Sequence, residues 1–368
     1  MLQGKSLMEL AQELQNQQES KKDFLVDSPA LRVEPELIRT TEEGKAICKQ
    51  QLIIGKNGSS EIMGINELGH KQLSSRLGIP RGYYDRLRSN YPFLLAENIN
   101  QIAHNEPQKM LVRSLNQNAR AFLSDRYRTI DNYDLMCAIL PVLTDASQVG
   151  TELVVDSSEV TEKRMYIKVL FPKVQGEIKV NDPVQAGLII SNSEVGDGSL
   201  KVERLLYILR CKNGMILPAS LRKYHAGRRQ EFAELDSAVE VYSDRTKQLD
   251  DLALFSKVAD VVKAAFNIEE FQRQIDDFKK TTENKVTVPP VEFIEVTAKK
   301  FGLNESEKTN TLKHFLQYGD LSQYGLMNAI TSTAQEPETD YDRSVTLERM
   351  GSQVLNLSRS EWSVLATV

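Results

Sequence analysis

Arg113, Arg120, Arg126 and Arg128 are interleaved with the rings of Phe122, Tyr127 and Tyr133. Guanidinium groups beside aromatic faces suit a polyanion whose bases can stack, charge meeting phosphate and ring meeting base. The same side chains would also serve as a surface ion-pair ladder with no ligand. A second basic stretch lies at 201–229. There Lys201, Arg204, Arg210, Lys212, Arg222, Lys223, Arg228 and Arg229 face the single acid Glu203. Residues two apart on a strand share a face, so Arg204 and Arg210 line up with Leu206 and Ile208. Lys163, Arg164 and Lys168 belong to a third strand. The expected binding surface is a cationic groove built from Arg113, Arg120, Arg126, Tyr127, Arg128, Arg204, Arg210, Arg222, Lys223, Arg228 and Arg229.

Other chemistries lack their residues. His70, His104, His225 and His314 have no second ligand at metal spacing, and no glycine-rich phosphate loop or Gly-x-Ser-x-Gly elbow occurs. Asp125, Asp131 and Asp134 lie close together. They read as helix caps and ion partners of Arg126 and Arg128, with a divalent-metal nuclease as the least favoured alternative. No catalytic residue, metal ligand or cofactor is assigned. Cys48, Cys137 and Cys211 fit neither a disulfide framework nor a zinc site, and read as free thiols.

The groove needs strands to carry it. The run 110–130 reads as a hairpin turning at Asn116–Asn118 and leading into a helix near Asp131. Further strands are expected at 24–26, 52–54, 61–65, 152–155, 164–171, 186–193 and 200–212. Gly55–Gly58 and Gly196–Gly198 read as turns. Ser6–Ser20 reads as a short amphipathic helix that docks on the body or on a neighbouring subunit. Asn66 caps a helix, and residues 66–88 form a helix, turn and helix with Arg81, Arg86 and Arg88 on the second, in outline like a DNA-binding helix-turn-helix. At 231–284 the pattern changes to helical periodicity, and Val286–Pro290 breaks it. The expected class is α+β: a central antiparallel sheet with hairpins and packed helices, then a helical carboxy-terminal region. The organisation read from this is an amino-terminal helix at 1–23, an α+β core with basic strands at 24–230, long helices at 231–285 and a small helical region at 286–368.

Composition is that of an ordinary folded protein, with 40% hydrophobic and 26% charged residues, and the net charge of −5 argues against a globally basic nucleic-acid coat. No apolar run approaches the roughly 18 residues of a membrane span or the core of a signal peptide, so the expected location is the cytoplasm.

Several stretches together resemble the phage- and plasmid-like domain-of-unknown-function 932 family. They are Leu68-x4-Leu73-x3-Leu77-Gly-Ile-Pro-x2-Tyr83-Tyr84; Val112-Arg-Ser-Leu followed by Arg120-Ala-Phe-Leu-Ser-Asp-Arg-Tyr-Arg128; Ser191-Asn-Ser193 with Arg210-Cys-Lys-Asn-Gly-Met215; and Tyr324-Gly-Leu-Met-Asn-Ala-Ile-Thr331. The resemblance implies a mobile-element origin and a bacterial host cytoplasm, and supplies no activity. The order of elements also looks like that of phage annealing proteins, an analogy of fold. The function expected is single-stranded DNA binding or annealing by a homo-oligomer without nucleotide hydrolysis. The alternative is an anti-defence or host-takeover factor that binds a host protein.

Overall fold

The computed structural model describes residues 4–40, 46–56, 59–144, 152–223, 244–264 and 268–366. The fold is α+β, with a helical carboxy-terminal region. Its first helix, α1 (Leu7–Ser20), begins with a capping box: Ser6 accepts from the Glu9 amide and the Glu9 carboxylate accepts from the Ser6 amide. Its apolar face, Leu10 and Leu14, is buried against its own chain, and Lys5 bridges Ser158.

Two sheets follow instead of one. The first comprises β1 (Lys22–Asp27), β2 (Leu31–Thr40), β3 (Ala46–Lys56), β4 (Ser59–Ile65), β5 (Lys109–Leu115) and β6 (Asn118–Ser124), ordered β1-β5-β6-β4-β3-β2. All its pairings are antiparallel except β4 with β6. Asn116 and Gln117 both have positive φ (49° and 58°), as a two-residue hairpin between twisted strands requires. Between β4 and β5 run α2 (Glu67–Arg76), α3 (Arg81–Asn90) and α4 (Pro92–Asn105), which cover one face of this sheet. Phe24, Val112 and Phe122 lie side by side across three strands and pack with Leu73, Leu87, Leu95 and Ile99 in a core of their own.

The second sheet comprises β7 (Val154–Val160), β8 (Met165–Lys179), β9 (Asp182–Asn192), β10 (Leu200–Ile208) and β11 (Asn213–Lys223), in the order β11-β10-β9-β8-β7 and antiparallel throughout. Its strands carry near-continuous apolar runs, such as Met165–Phe171, because both faces are covered. On one face Ile167, Leu188, Val202 and Leu206 share a core with α5 (Asn132–Thr144), α6 (Asp244–Ala264) and α7 (Ile268–Thr281) through Leu135, Val258 and Ile275. On the other, Tyr166, Ile189, Leu205 and Ile216 pack under α11 (Tyr341–Leu355) through Tyr341 and Val345. Of the four remaining helices, α8 (Pro290–Phe301), α9 (Glu305–Tyr318), α10 (Gln323–Thr333) and α12 (Arg359–Ala366), α10 packs between α9 and α11, and α8 packs on α9 and α12.

These cores correct the expected organisation. Among its described residues the span 24–230 holds two sheets, each with its own main core, and α6 and α7 complete the larger core of the second sheet rather than forming a separate region.

The helix-turn-helix outline is present. Gly78, at φ +65°, reverses the chain between α2 and α3, with Asn66 accepting from the Gly69 amide at the start of α2. Arg81 pairs with Asp85 and Arg88 with Glu67, which leaves Arg86 exposed. Beneath them His70 Nδ1 lies 2.8 Å from the Tyr84 hydroxyl, both rings buried. Burial, reinforced by Arg88, pushes the His70 pKa down to about 3.

His70 is therefore neutral in the folded state at any pH above about 3, while the unfolded chain takes up a proton near pH 6.5. Stability should fall as pH drops below 6.5. Between pH 7 and pH 5, urea unfolding should show wild type losing about 2 kcal/mol more than His70→Gln. Equal losses would mean that His70 is protonated where it sits.

Candidate nucleic-acid interface

The hairpin β5–β6 directs Arg113 and Arg120 toward a turn far along the chain, Ser193–Ser199, which links β9 to β10. Arg113 is 0% exposed. Its Nε donates to Asp23 (2.9 Å), its Nη2 to Asp131 (2.7 Å) and its Nη1 to the Glu194 carbonyl (2.9 Å). Arg120 pairs with the buried Glu194 carboxylate, whose other oxygen accepts from the Asn132 amide at the start of α5 (2.7 Å). Lys21 joins both acids, at 2.6 Å from Asp131 and 3.7 Å from Glu194. Three cations thus meet three carboxylates. Burial opposes the Arg113 charge, but Asp131 and Asp23 outweigh it and hold the guanidinium above its usual range. Asp131 is likewise held below the ordinary carboxylate range by Arg113 and Lys21 against the cost of burial.

The turn itself is fixed at nearly every residue. Ser193 Oγ accepts from the Asp197 amide, Asn192 donates to the Ile130 carbonyl, and Gln72 donates to the Val195 carbonyl. Gly196 has φ +75°, and a Cβ there would sit 2.6 Å from Leu123, so only glycine fits. The turn therefore ties α2, β5, β6, α5 and β8 together and joins the two sheets.

This placement corrects the expected groove. Arg113 and Arg120 are interior struts, Arg113 held by two carboxylates and the Glu194 carbonyl and Arg120 by the Glu194 carboxylate, so neither guanidinium is presented to solvent. Tyr127 is half-buried and donates to the Ser193 carbonyl at 3.1 Å, so its ring is part of the same joint. Arg128 reaches across to Asp250 and Asp251 of α6, and Arg204 pairs with Glu270 of α7. Arg126, Arg210 and Arg222 are exposed. Lys223 closes β11; its side chain, and all of Arg228 and Arg229, lie outside the described residues.

What the fold does bring together is a cation cluster at the end of β10 and β11 that follows the turn. Lys201 pairs in register with Arg222, whose Nε lies 3.4 Å from Ser199 Oγ. Arg164 donates to the Asp197 carbonyl, and Arg349 of α11 pairs with Glu203. Burial, then Arg349, Arg222 and Arg164, lower the Lys201 pKa in spite of Glu203. Four cations thus gather around Asp197, Glu203 and the more distant Asp342. Of these, Arg349 could not be anticipated from spacing, since it arrives on a helix far along the chain. Lys201 lay in the basic run, but only the pairing of β10 with β11 sets it beside Arg222.

Among the described residues no cluster of three or more His, Cys, Asp or Glu is arranged to hold a metal ion, and no helix is long and apolar enough to cross a membrane. No family model matches the chain, and neither a curated protein nor a solved structure matches it.

Removing Arg113 would take from Asp23 and Asp131 the cation they share, leaving Asp131 with Lys21 alone. Arg113→Ala should cost roughly 3–5 kcal/mol, against less than about 0.5 kcal/mol for the exposed Arg126→Ala. Urea unfolding measures both, and comparable small losses would show that the buried network is absent in solution.

Proposed function

We propose that this protein binds the backbone of single-stranded nucleic acid along the Ser193–Ser199 turn and the adjoining ends of β10 and β11, and that it serves strand binding or annealing for a mobile element. One observation carries the reading: Arg164, Lys201, Arg222 and Arg349 converge at one end of a sheet, close enough that, beyond the effect of burial, the other three lower the Lys201 pKa. Like charges held together repel one another, and an entering anion relieves that repulsion, so a phosphate chain is the natural partner. The proposed interface is smaller than an arginine-aromatic groove, and charge carries it more than stacking, because the Tyr127 ring belongs to the inter-sheet joint. Sequence-independent backbone contact is what annealing requires. The resemblance to the phage- and plasmid-like family agrees with such a role, and no nucleotide cofactor enters it.

A second reading, contact with a host protein, has its own support. The amino-terminal end of α4 exposes Tyr91, Phe93 and Leu94 together, where a protein partner could bury them.

Fluorescence anisotropy with a labelled single-stranded oligonucleotide tests the proposal. Binding should tighten as salt falls, with a slope of about −0.7 per phosphate neutralised. Lys201→Ala with Arg222→Ala should weaken it at least about tenfold and reduce the slope, at little cost in melting temperature. No binding at low salt, or binding unchanged in the double variant, contradicts the proposal.

A further inference from the structure

The helices α2 and α3 carry a surface that the proposed strand binding does not use. Four residues, Leu77–Pro80, join the two helices, and Gly78 at φ +65° makes the reversal. A connection of this length, turned by a glycine, is the one that DNA-reading helix pairs use. The pair is locked from inside. Leu73, Leu77, Ile79, Tyr84 and Leu87 are buried in one core, and His70 Nδ1 and the Tyr84 hydroxyl, 2.8 Å apart, tie one helix to the other.

The outer side of α3 is uncovered. The helix packs chiefly on α2 and α4, and Gly82, Tyr83, Arg86, Ser89 and Asn90 are exposed together on its other side. These positions are three or four residues apart and so share one face. Residues 66–90 hold five bases against two acids, Glu67 and Asp85, in a chain whose net charge is −5. Both acids are engaged, Asp85 with Arg81 and Glu67 with Arg88. The exposed face has no aliphatic side chain to bury against a protein, and its charge complements phosphate.

Gly82 gives a second, independent sign. Glycine weakens a helix, yet a Cβ at Gly82 would meet no described atom within 4 Å, and its φ is not left-handed. Neither packing nor backbone conformation within the chain calls for glycine there. Close approach of another molecule to the start of the helix does.

We propose that α2 and α3 form a second nucleic-acid site that reads double-stranded DNA, with α3 in the major groove and Arg86 and Tyr83 meeting base edges. That groove, about 12 Å wide, admits one helix, whose first turns contact the bases. The bare backbone at Gly82 lets those turns come close. The site is made of other residues than the Ser193–Ser199 surface and does not depend on it.

Selection by the full chain from a pool of duplex oligonucleotides with a randomised central segment tests this. Repeated rounds should enrich one short sequence, bound at least about tenfold tighter than the unselected pool at the same salt. Arginine forks onto guanine, so the sequence should contain a guanine that Arg86→Ala no longer selects. Arg86→Ala and, separately, Gly82→Gln should each weaken binding to the selected duplex by about tenfold or more, with melting temperatures near that of the wild type because both positions are exposed. Lys201→Ala with Arg222→Ala should leave it unchanged. A pool that stays unenriched overturns the proposal. So does an enriched sequence that either α3 variant binds as tightly as the wild type, or one that the Lys201 and Arg222 double variant no longer binds.

Discussion

The Glu194 carboxylate is the point on which the two halves of this protein turn. It sits buried at the joint between two sheets whose apolar cores are otherwise distinct, and it is held by Arg120, by Lys21 and by the first amide of α5. Taking such charges out of water is expensive, and their attraction repays the cost only when the remaining hydrogen-bonding groups are matched. Here each guanidinium nitrogen of Arg113 has a partner, while Arg120 is held through its Nη2 and keeps its Nε buried without a hydrogen-bond partner among the described residues. Arg113 spends its donors on two carboxylates and on the Glu194 carbonyl, and the turn around it satisfies its own backbone through Ser193, Gln72 and Asn192. Directional ion pairs specify how the sheets meet where apolar packing would tolerate sliding.

That joint also decides which cations remain for other work. A hairpin rich in arginine looks like a binding surface when only its own sequence is considered. In the fold, its inner guanidiniums are consumed by acids contributed from β1, from the start of α5 and from the turn after β9. Arg128 and Arg204 are drawn into pairs with α6 and α7. Beyond the turn gather Lys201, Arg222 and Arg349, from β10, β11 and α11, with Arg164 from the segment just before β8. A surface assembled in this way is a property of the tertiary structure, and the proposed backbone contact rests on it.

Local signals in the sequence were informative wherever a nearby residue determined the structure. The helix over Ser6–Ser20, the hairpin turn at Asn116 and the Asn66 cap are all legible, because each depends on neighbours a few residues away, and the α+β class follows from the order of such elements. β11 was missed as a strand: Pro218 and the basic residues after it hide its alternation, and an edge strand tolerates both. The division into two sheets was hidden as well, since β1 pairs not with its neighbours in sequence but with β5, three helices and three strands further on. Alternation along β5 could place Arg113 on a face but could not say that Asp131 and the Glu194 carbonyl would cover it. The fully buried pair Lys168–Glu348 was hidden for the same reason, each member lacking any local sign of the other.

The central claim is that the charged turn makes two separately cored halves fold as one unit, and calorimetry of Glu194→Ala beside the wild type tests it most directly. The wild type should unfold in a single transition whose calorimetric and van't Hoff enthalpies agree. With Glu194 removed, Arg120 loses its carboxylate and the joint weakens, and the transition should split or its van't Hoff enthalpy fall well below the calorimetric one. A variant that still unfolds in one transition at the wild-type temperature would contradict the account and place the coupling of the sheets in their apolar contacts instead.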